Sequence, residues 1–258
     1  MNRIADKFRE LRRRHRKALI PFIVAGDPTL SATERLIPAL GRAGADLIEL
    51  GVPFSDPMAD GPVIQRADER ALKRGTTLKK ILRLVASIRN IGSQTPIVLM
   101  GYYNPILSFG VKRFAREAAA AGVDGVLIVD LPPEESGKLD GELKRKGIDR
   151  IYLLAPTSDR SRIQKVARRG SGYLYFVSMT GITGARLHRL GEVRSAVQRI
   201  KRQTRLPVVV GFGIQNRQQV LDIKKFSDGV VIGSALVKRI EARGFSAKKV
   251  ATFLKSCR

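Results

Sequence analysis

The sequence contains a single cysteine, no long apolar run and no secretion signal. Cys257 lies next to the last residue, and one cysteine cannot form a disulfide within the chain. No stretch reaches the about 18 apolar residues that a transmembrane helix needs. Residues 1–8 carry charges at short intervals and have no apolar core of a signal peptide. These absences favour a cytoplasmic protein.

Acidic and aromatic residues are also scarce. The chain has 48 Lys and Arg against 23 Asp and Glu, a formal net charge of +25. Such an excess raises the question of nucleic-acid binding. The basic residues, however, lie in short scattered runs such as 11–17 and 144–146, and aromatic residues, 6% of the chain, do not interleave with them. This distribution favours a solvated basic surface, whose field can help to attract an anionic substrate.

Residues for metal binding or nucleophilic catalysis are few. His15 and His188 are the only histidines, and neither has a cysteine or carboxylate at the spacing of metal ligands. No Ser-His-Asp arrangement is evident, and no lysine lies within a predicted strand, which argues against a Schiff-base lysine. The sequence therefore predicts no metal site.

The chain does contain a regular alternation of short apolar runs with longer segments of helical period. Apolar runs of this kind are typical of strands that are buried on both faces of a parallel sheet. The predicted strands are Leu19–Val24, Leu47–Leu50, Ile97–Met100, Gly125–Val129, Ile151–Leu154, Leu174–Val177, Val208–Val210 and Val230–Ile232.

Between the strands, apolar residues recur at spacings of three and four, as on one face of a helix. Two such helices are marked by Ile4, Phe8 and Leu11 and by Val193, Val197 and Ile200. A third, around Leu36 and Leu40, contains Pro38, which we expect to kink or shorten it.

Eight strands, each followed by a helix, predict a single (β/α)₈ TIM-barrel domain over residues 1–258, with an extra N-terminal helix. Periodicity alone leaves an open doubly wound sheet as the alternative. No Gly-x-Gly-x-x-Gly follows the first strand, where a dinucleotide-binding fold needs it. In a barrel, the active residues are expected at the C-terminal ends of the strands.

The second strand and its following loop carry three candidate carboxylates. Glu49 lies between Ile48 and Leu50 in an apolar strand. If its side chain points into the barrel mouth, desolvation raises its pKa and suits it to acid/base work. Asp56 and Asp60 lie on a long, proline-rich loop, and such loops are uncommon unless functional. The alternative for Glu49 is a buried carboxylate paired with an arginine or lysine.

Glycine-rich segments follow the last three strands. They are Thr-Gly-Ile-Thr-Gly-Ala-Arg at 180–186, Val-Gly-Phe-Gly-Ile at 210–214 and Ile-Gly-Ser-Ala-Leu at 232–236. Glycine lets the backbone approach an anion, and a helix N-terminus offers unpaired N–H groups. We interpret these segments as a phosphate site, with 180–186 as a mobile lid. Each segment alone is equally explained by a tight turn.

Several apolar side chains also lie near the C-terminal ends of strands. They are Phe22, Met100, Leu127, Phe212 and Ile232. They are either barrel core or the lining of an apolar pocket for an aromatic ligand.

The segment 49–65, Glu-Leu-Gly-Val-Pro-Phe-Ser-Asp-Pro-Met-Ala-Asp-Gly-Pro-Val-Ile-Gln, resembles the signature of the tryptophan synthase alpha subunit family. Further segments agree with that family in order: 25–28, 100–105, 130–134, 181–184, 211–213 and 233–235. The acidic, proline-rich loop is the most specific part, because glycine-rich phosphate loops occur in many barrels.

This resemblance implies a lyase of tryptophan biosynthesis that splits indole-3-glycerol phosphate into indole and glyceraldehyde 3-phosphate. It implies that Glu49 is the main acid/base, and that Asp60 holds the indole N–H and stabilises positive charge on the ring. The implied substrate-binding positions are Phe22, Met100, Tyr102, Leu127, Tyr175, Thr183, Gly184, Phe212, Gly213, Ile232, Gly233 and Ser234.

The resemblance also implies a partner. A beta subunit that carries pyridoxal phosphate receives indole through a tunnel, in an alpha2-beta2 heterotetramer. Asp56, Asn104 and Pro132 match positions at that contact. This chain itself is expected to need no cofactor or metal. The segment Leu-His-Arg at 187–189 and the high positive charge depart from the family in detail.

Two other interpretations stay open. One is another phosphate-binding barrel enzyme of amino-acid biosynthesis, such as a phosphoribosyl isomerase or indole-glycerol-phosphate synthase. The synthase is expected to use a strand lysine, and none is evident. The other is a catalytically idle subunit that binds or activates a partner, which the intact Glu49 and Asp60 disfavour.

Overall fold

The computed structural model is a closed barrel of eight parallel strands in sequence order. It describes residues 2–177, 186–211, 213–242 and 245–258. The strands are β1 Ala18–Val24, β2 Ile48–Gly51, β3 Ile97–Gly101, β4 Gly125–Ile128, β5 Asp149–Leu154, β6 Leu174–Val177, β7 Val208–Gly211 and β8 Gly229–Ile232.

Helices surround the barrel and follow every strand. They are α1 Arg3–Arg13, α2 Leu30–Arg42, α3 Pro62–Lys73, α4 Leu78–Asn90, α5 Tyr103–Phe109, α6 Val111–Ala121, α7 Gly137–Arg145, α8 Arg160–Arg169, α9 Arg186–Lys201, α10 Arg217–Lys224, α11 Ser234–Glu241 and α12 Ala247–Ser256. Within the described ranges, none of these helices combines the length and apolarity needed to cross a membrane.

Strand residues alternate between two cores, which explains why the strands are apolar on both faces. Along β1, Ile20 and Phe22 belong to the cluster inside the barrel, whereas Leu19 and Ile23 belong to the cluster between strands and helices. The apolar face of α1 joins the inner cluster and closes the N-terminal end of the barrel. The opposite end is left for the loops that follow the strands.

The predicted barrel with an N-terminal helix is confirmed. The open-sheet alternative is wrong, because β1 pairs with both β2 and β8. Pro38 was expected to kink or shorten its helix, and it does not shorten it, since α2 continues to Arg42. Thr29 caps its N-terminus, and its buried face, which includes Leu36 and Leu40, packs into the outer core. That packing outweighs the hydrogen bond that proline cannot donate.

Candidate active site

Glu49 lies inside the barrel, two residues before the end of β2. The strand register places it between Phe22 of β1 and Val98 of β3, and its side chain is completely buried. The Tyr173 hydroxyl donates a 2.6 Å hydrogen bond to Oε1, while Oε2 has no hydrogen-bond partner among the described residues. Glu49 therefore keeps one carboxyl oxygen available to a ligand.

Burial controls the protonation of Glu49. Loss of hydration raises its pKa to about 8, and the hydrogen bond from Tyr173 only partly opposes that rise. No described arginine or lysine pairs with Glu49, so the alternative of an ion-paired structural carboxylate is not supported. A carboxyl group that gains and loses a proton near neutral pH suits general acid/base catalysis.

Two tyrosines at the start of β6 face Glu49. Tyr173 and Tyr175 are two residues apart and both are buried inside the barrel. Burial, together with the negative charge of Glu49, raises the pKa of both phenols, which stay neutral donors. Tyr173 was not predicted from the sequence. The available signal was its two-residue spacing from Tyr175, which places both on the same face of the strand.

Asp60 is held against the end of β3 by a tyrosine. The Tyr102 hydroxyl donates a 2.8 Å hydrogen bond to Asp60 Oδ2 and accepts one of 3.0 Å from the Ala59 N–H. The Gln65 amide donates to the Asp60 carbonyl at 2.8 Å, and the Phe54 ring lies 5.2 Å from the Tyr102 ring. Burial raises the pKa of Asp60, and the hydrogen bond from Tyr102 opposes the rise. These contacts order the acidic loop around its carboxylate.

A further buried carboxyl, Asp68, lies on α3 close to this loop. Burial, together with repulsion from Asp60 and Asp27, raises the pKa of Asp68 to about 8. Asp27 is itself held by two 2.9 Å hydrogen bonds from the Arg70 guanidinium. Sequence analysis missed Asp68, although an acidic residue on the apolar face of a helix was a readable signal. Near neutral pH this residue adds little negative charge beside Asp60.

Apolar side chains complete the interior around Glu49. The predicted residues Phe22, Met100, Leu127 and Tyr175 belong to the same inner cluster. Glycines make room for the two rings: a Cβ at Gly51 would lie 2.8 Å from Phe22 Cζ, and one at Gly211 would lie 1.8 Å from the Tyr175 hydroxyl. The structure thus brings together Glu49 and a set of side chains suited to a flat apolar ligand.

The described part of the phosphate loops lies at the ends of β7 and β8. Gly213 follows β7 with a φ of +73°, a conformation that favours glycine. Gly233 caps the N-terminus of α11, and Ser234 is the first residue of that helix. The free N–H groups and dipole of a helix N-terminus favour an anion there. The Ile232 side chain points away from the barrel interior and is buried between the strands and helices.

Some predicted site residues fall outside the described residues. They are Thr183, Gly184 and Phe212, together with residues 180–185 of the predicted lid. Among the residues that are described, no group of three or more His, Cys, Asp or Glu side chains is placed to hold a metal ion.

The predicted partner-contact residues lie at the same end of the barrel. Asp56 and Asn104 are exposed and Pro132 is half-buried. Two large apolar side chains near them are also exposed, Met58 to 93% on the acidic loop and Leu107 to 52% on α5. Exposed apolar groups beside polar ones are a common feature of protein interfaces.

The whole chain is similar to proteins of one family. Residues 8–258 match the profile of the family described as "Tryptophan synthase alpha chain". The tryptophan synthase alpha chain of Geobacter sulfurreducens is 56% identical over all of this chain and 98% of its own length. The alpha chain of Geotalea daltonii is 57% identical, over 98% of this chain and 95% of its own.

Solved structures agree in fold as well as in sequence. The tryptophan synthase alpha subunit of Legionella pneumophila superposes with a TM-score of 0.93 at 39% identity, over 100% of this chain and 97% of that one. A chain of the tryptophan synthase complex of Pyrococcus furiosus gives 0.86 at 39% identity, over 93% of this chain and 97% of that one. With the site geometry and the full-length match in agreement, the chain belongs to the tryptophan synthase alpha chain family.

Proposed function

We propose that this chain cleaves indole-3-glycerol phosphate into indole and glyceraldehyde 3-phosphate by a retro-aldol reaction. The observation that carries the proposal is the state of Glu49: fully buried, with one free oxygen and a pKa of about 8, among apolar side chains near the C-terminal end of the barrel. The residue roles below follow from that placement.

Glu49 acts on the two protons that the cleavage moves. The neutral Glu49 carboxyl donates a proton to indole C3, which makes the ring an indolenine with positive charge at N1. The Glu49 carboxylate takes the proton of the adjacent glycerol hydroxyl, the carbon–carbon bond breaks, and its electron pair returns to the ring. The aldehyde carbonyl forms from the hydroxyl oxygen, and indole leaves. Glu49, with a pKa near neutrality, can serve as donor and acceptor in turn.

Asp60 stabilises the positive charge that develops at N1. A carboxylate near the indole N–H lowers the energy of the indolenine more than that of the neutral substrate, which is the condition for catalysis. The hydrogen bond from Tyr102 favours the ionised form of Asp60. The loop contacts thus hold the carboxylate in place before substrate binds.

The rest of the site positions the substrate. Phe22, Met100 and Leu127 provide apolar surface for the ring. The phosphate binds the N-terminus of α11 and the turn after β7, where Gly213, Gly233 and Ser234 lie. The family pattern adds Thr183, Gly184 and Phe212, which lie outside the described residues, as further contacts. A phosphate at a helix N-terminus gains from both the free N–H groups and the dipole. Tyr102 and Tyr175 complete the enclosure, and Ile232 contributes through its backbone alone.

A beta subunit is the partner, and the exposed face beside the active site is the contact that we propose. Asp56, Asn104 and Pro132 take part, together with the exposed Met58 and Leu107. Indole released beside this face can pass to the pyridoxal phosphate of the beta subunit in an alpha2-beta2 assembly in the cytoplasm. The cleavage itself needs no cofactor or metal on this chain.

Indole release from indole-3-glycerol phosphate by the purified chain tests the proposal. We expect slow release by the chain alone and much faster release when a tryptophan synthase beta subunit is added. A folded sample that releases no indole in either condition contradicts the proposed reaction. Phosphoribosyl isomerase activity in the same sample would favour the other barrel-enzyme interpretation.

A further inference from the structure

A basic cleft opens at the N-terminal end of the barrel, on the side opposite the active site. It has a volume of about 240 Å³ and lies between the end of α1 and the segment 201–207 that leads into β7. The buried side chains of Phe8 and Leu11 form its floor. Its charged lining residues are Arg12, Arg16, Lys17, Lys201, Arg205 and Asp228.

The single carboxylate of the cleft is already engaged. Asp228 accepts hydrogen bonds from the Val208 N–H at 2.9 Å and from Lys201 Nζ at 2.7 Å, and Lys17 Nζ lies 3.6 Å away. Arg12 and Arg205 have no ion pair among the residues that the structure describes. The cleft therefore presents two unpaired guanidinium groups and a clear excess of positive charge.

Helix termini explain only part of this charge. α1 and α9 both end near the cleft, and the negative ends of their dipoles favour cations such as Arg12 and Lys201. Lys17 and Arg205 lie outside the helices. The same dipole ends do not attract an anion, so an anion in this cleft must be held by side chains alone.

The size and lining of the cleft indicate the kind of anion. A volume of about 240 Å³ is smaller than the ~300–1,000 Å³ of sites for drug-sized ligands. The one aromatic residue of the lining, Phe8, is buried and packs against Tyr173, so it offers no face for stacking a base. Arginine guanidinium groups bind phosphate oxygens through two parallel hydrogen bonds. A compact phosphate anion fits these properties better than a nucleotide.

We propose that this cleft binds a small, multiply charged phosphate anion, such as inorganic triphosphate, between Arg12 and Arg205. The field of the basic surface raises the local concentration of such an anion. Two further cations, Arg168 and Arg202, line a shallower region that shares Arg205 with the cleft, and they extend the positive field along the same end of the barrel.

Calorimetric titration of the full-length chain with sodium triphosphate tests the proposal, at about 150 mM NaCl to suppress weak surface binding. The titration is run with and without excess glycerol 3-phosphate, which occupies the proposed phosphate loops of the active site. We expect one saturable site that persists with glycerol 3-phosphate. The double variant Arg12→Gln/Arg205→Gln should weaken it about 10-fold or more.

The matched control is Arg83→Gln/Arg116→Gln, which removes the same charge from exposed positions on α4 and α6. We expect its affinity to stay within about twofold, because neither residue lines the cleft or the region beside it and the Debye length at this salt concentration is only about 8 Å. Both double variants should keep the indole-releasing activity and melting temperature of the parent chain, which shows that they are folded.

Three results would overturn the proposal. Equal weakening by the two double variants would assign the binding to the general field of the protein. Absence of saturable binding would leave the cations as a solvated surface. Tighter binding of a short DNA duplex than of triphosphate, lost in Arg12→Gln/Arg205→Gln, would identify a nucleic-acid surface instead.

Discussion

At the scale of single residues, the protonation of Glu49 determines when the site can act. Burial raises its pKa to about 8, so the group is mostly neutral at pH ~7. The form that starts the cleavage, by donating a proton to indole C3, is the neutral carboxyl, which decreases as the pH rises. We therefore expect kcat/KM for indole release to fall as the pH rises through a midpoint near 8, measured from about pH 6 to 9.5.

Tyr173→Phe provides the matched variant for this profile. It removes the hydrogen bond that lowers the Glu49 pKa and keeps the ring that packs against Phe8. The midpoint should move to higher pH, whereas the maximal value of kcat/KM should change little. A profile that is flat across this range in both proteins would contradict the assignment of Glu49 as the acid/base.

Glu49→Gln should abolish cleavage and preserve the fold. Gln has nearly the same shape, and its oxygen can still accept from Tyr173, but it transfers no proton. Because the Glu49 pKa is raised in the fold, its stabilising contribution is complete below the unfolded pKa of about 4.5 and is lost as pH rises to about 8. Gln does not ionise, so the variant should gain up to about 3 kcal/mol in unfolding free energy at pH ~7. Full activity in this variant would refute the role.

Asp60 and its tyrosine can be separated by two substitutions. Asp60→Asn removes the charge that stabilises the indolenine, and we expect kcat to fall about 100-fold or more. Tyr102→Phe keeps the carboxylate but removes the hydrogen bond that lowers its pKa, so a fall of about 10-fold is expected, with partial recovery as pH rises. Equal losses in the two variants at every pH would show that Tyr102 does more than hold Asp60.

Some of these residues could be predicted from the sequence and some could not. Glu49 is a charged residue inside an apolar strand, so its position alone marks it. Tyr173 shares the inward face with Tyr175, but the predicted strand began after it. To identify Asp68, one must know which face of α3 is buried, and that face was not predicted from the sequence. Hydrogen-bond partners such as Tyr102 for Asp60 lie in the segments that follow different strands, and their pairing needs the barrel register.

At the scale of secondary-structure elements, the strands were predictable and the helix pairs were not. The predicted strands differ from the observed ones by two residues or fewer at each end, because a parallel barrel buries both faces of every strand. Between β2 and β3, and between β3 and β4, the chain forms two helices each. Apolar periodicity identifies helical segments there, but the breaks between consecutive helices depend on local turns such as that at Gly110.

The N-terminal helix α1 should contribute strongly to stability as the closure of the barrel. Phe8 is 5% exposed and its ring centre lies 5.9 Å from that of Tyr173. Phe8→Ala leaves a cavity under the inner core, and we expect a loss of about 3–5 kcal/mol in the free energy of unfolding by urea. Arg9→Ala on the exposed face is the control and should change it by less than about 0.5 kcal/mol. Comparable losses in both would mean that the helix packs differently.

At the scale of the whole molecule, charge is the property that the fold does not explain. The described ion pairs lie mostly at the surface, where each contributes about 0–1 kcal/mol. If every one of the 23 acidic residues were paired, more than half of the 48 basic residues would still lack a partner. Repulsion among the remaining cations opposes folding. It therefore involves more basic residues than the ion pairs that support folding.

Screening by salt should reveal which of these two effects is larger. Added NaCl weakens the exposed ion pairs and the repulsion together, and at about 0.5 M the Debye length falls to roughly 4 Å. Because unpaired cations outnumber pairs, we expect the melting temperature to rise between about 20 mM and 0.5 M NaCl. Chloride is preferred to sulfate or phosphate, which stabilise proteins by exclusion from the protein surface and would here compete for anion sites.

A variant with fewer exposed charges is the control. Changing Lys73, Arg83, Lys144 and Lys248 to Gln removes four exposed charges, and the melting temperature of this variant should rise less with NaCl. A melting temperature that falls with NaCl would show that the ion pairs stabilise the fold more than the excess charge destabilises it.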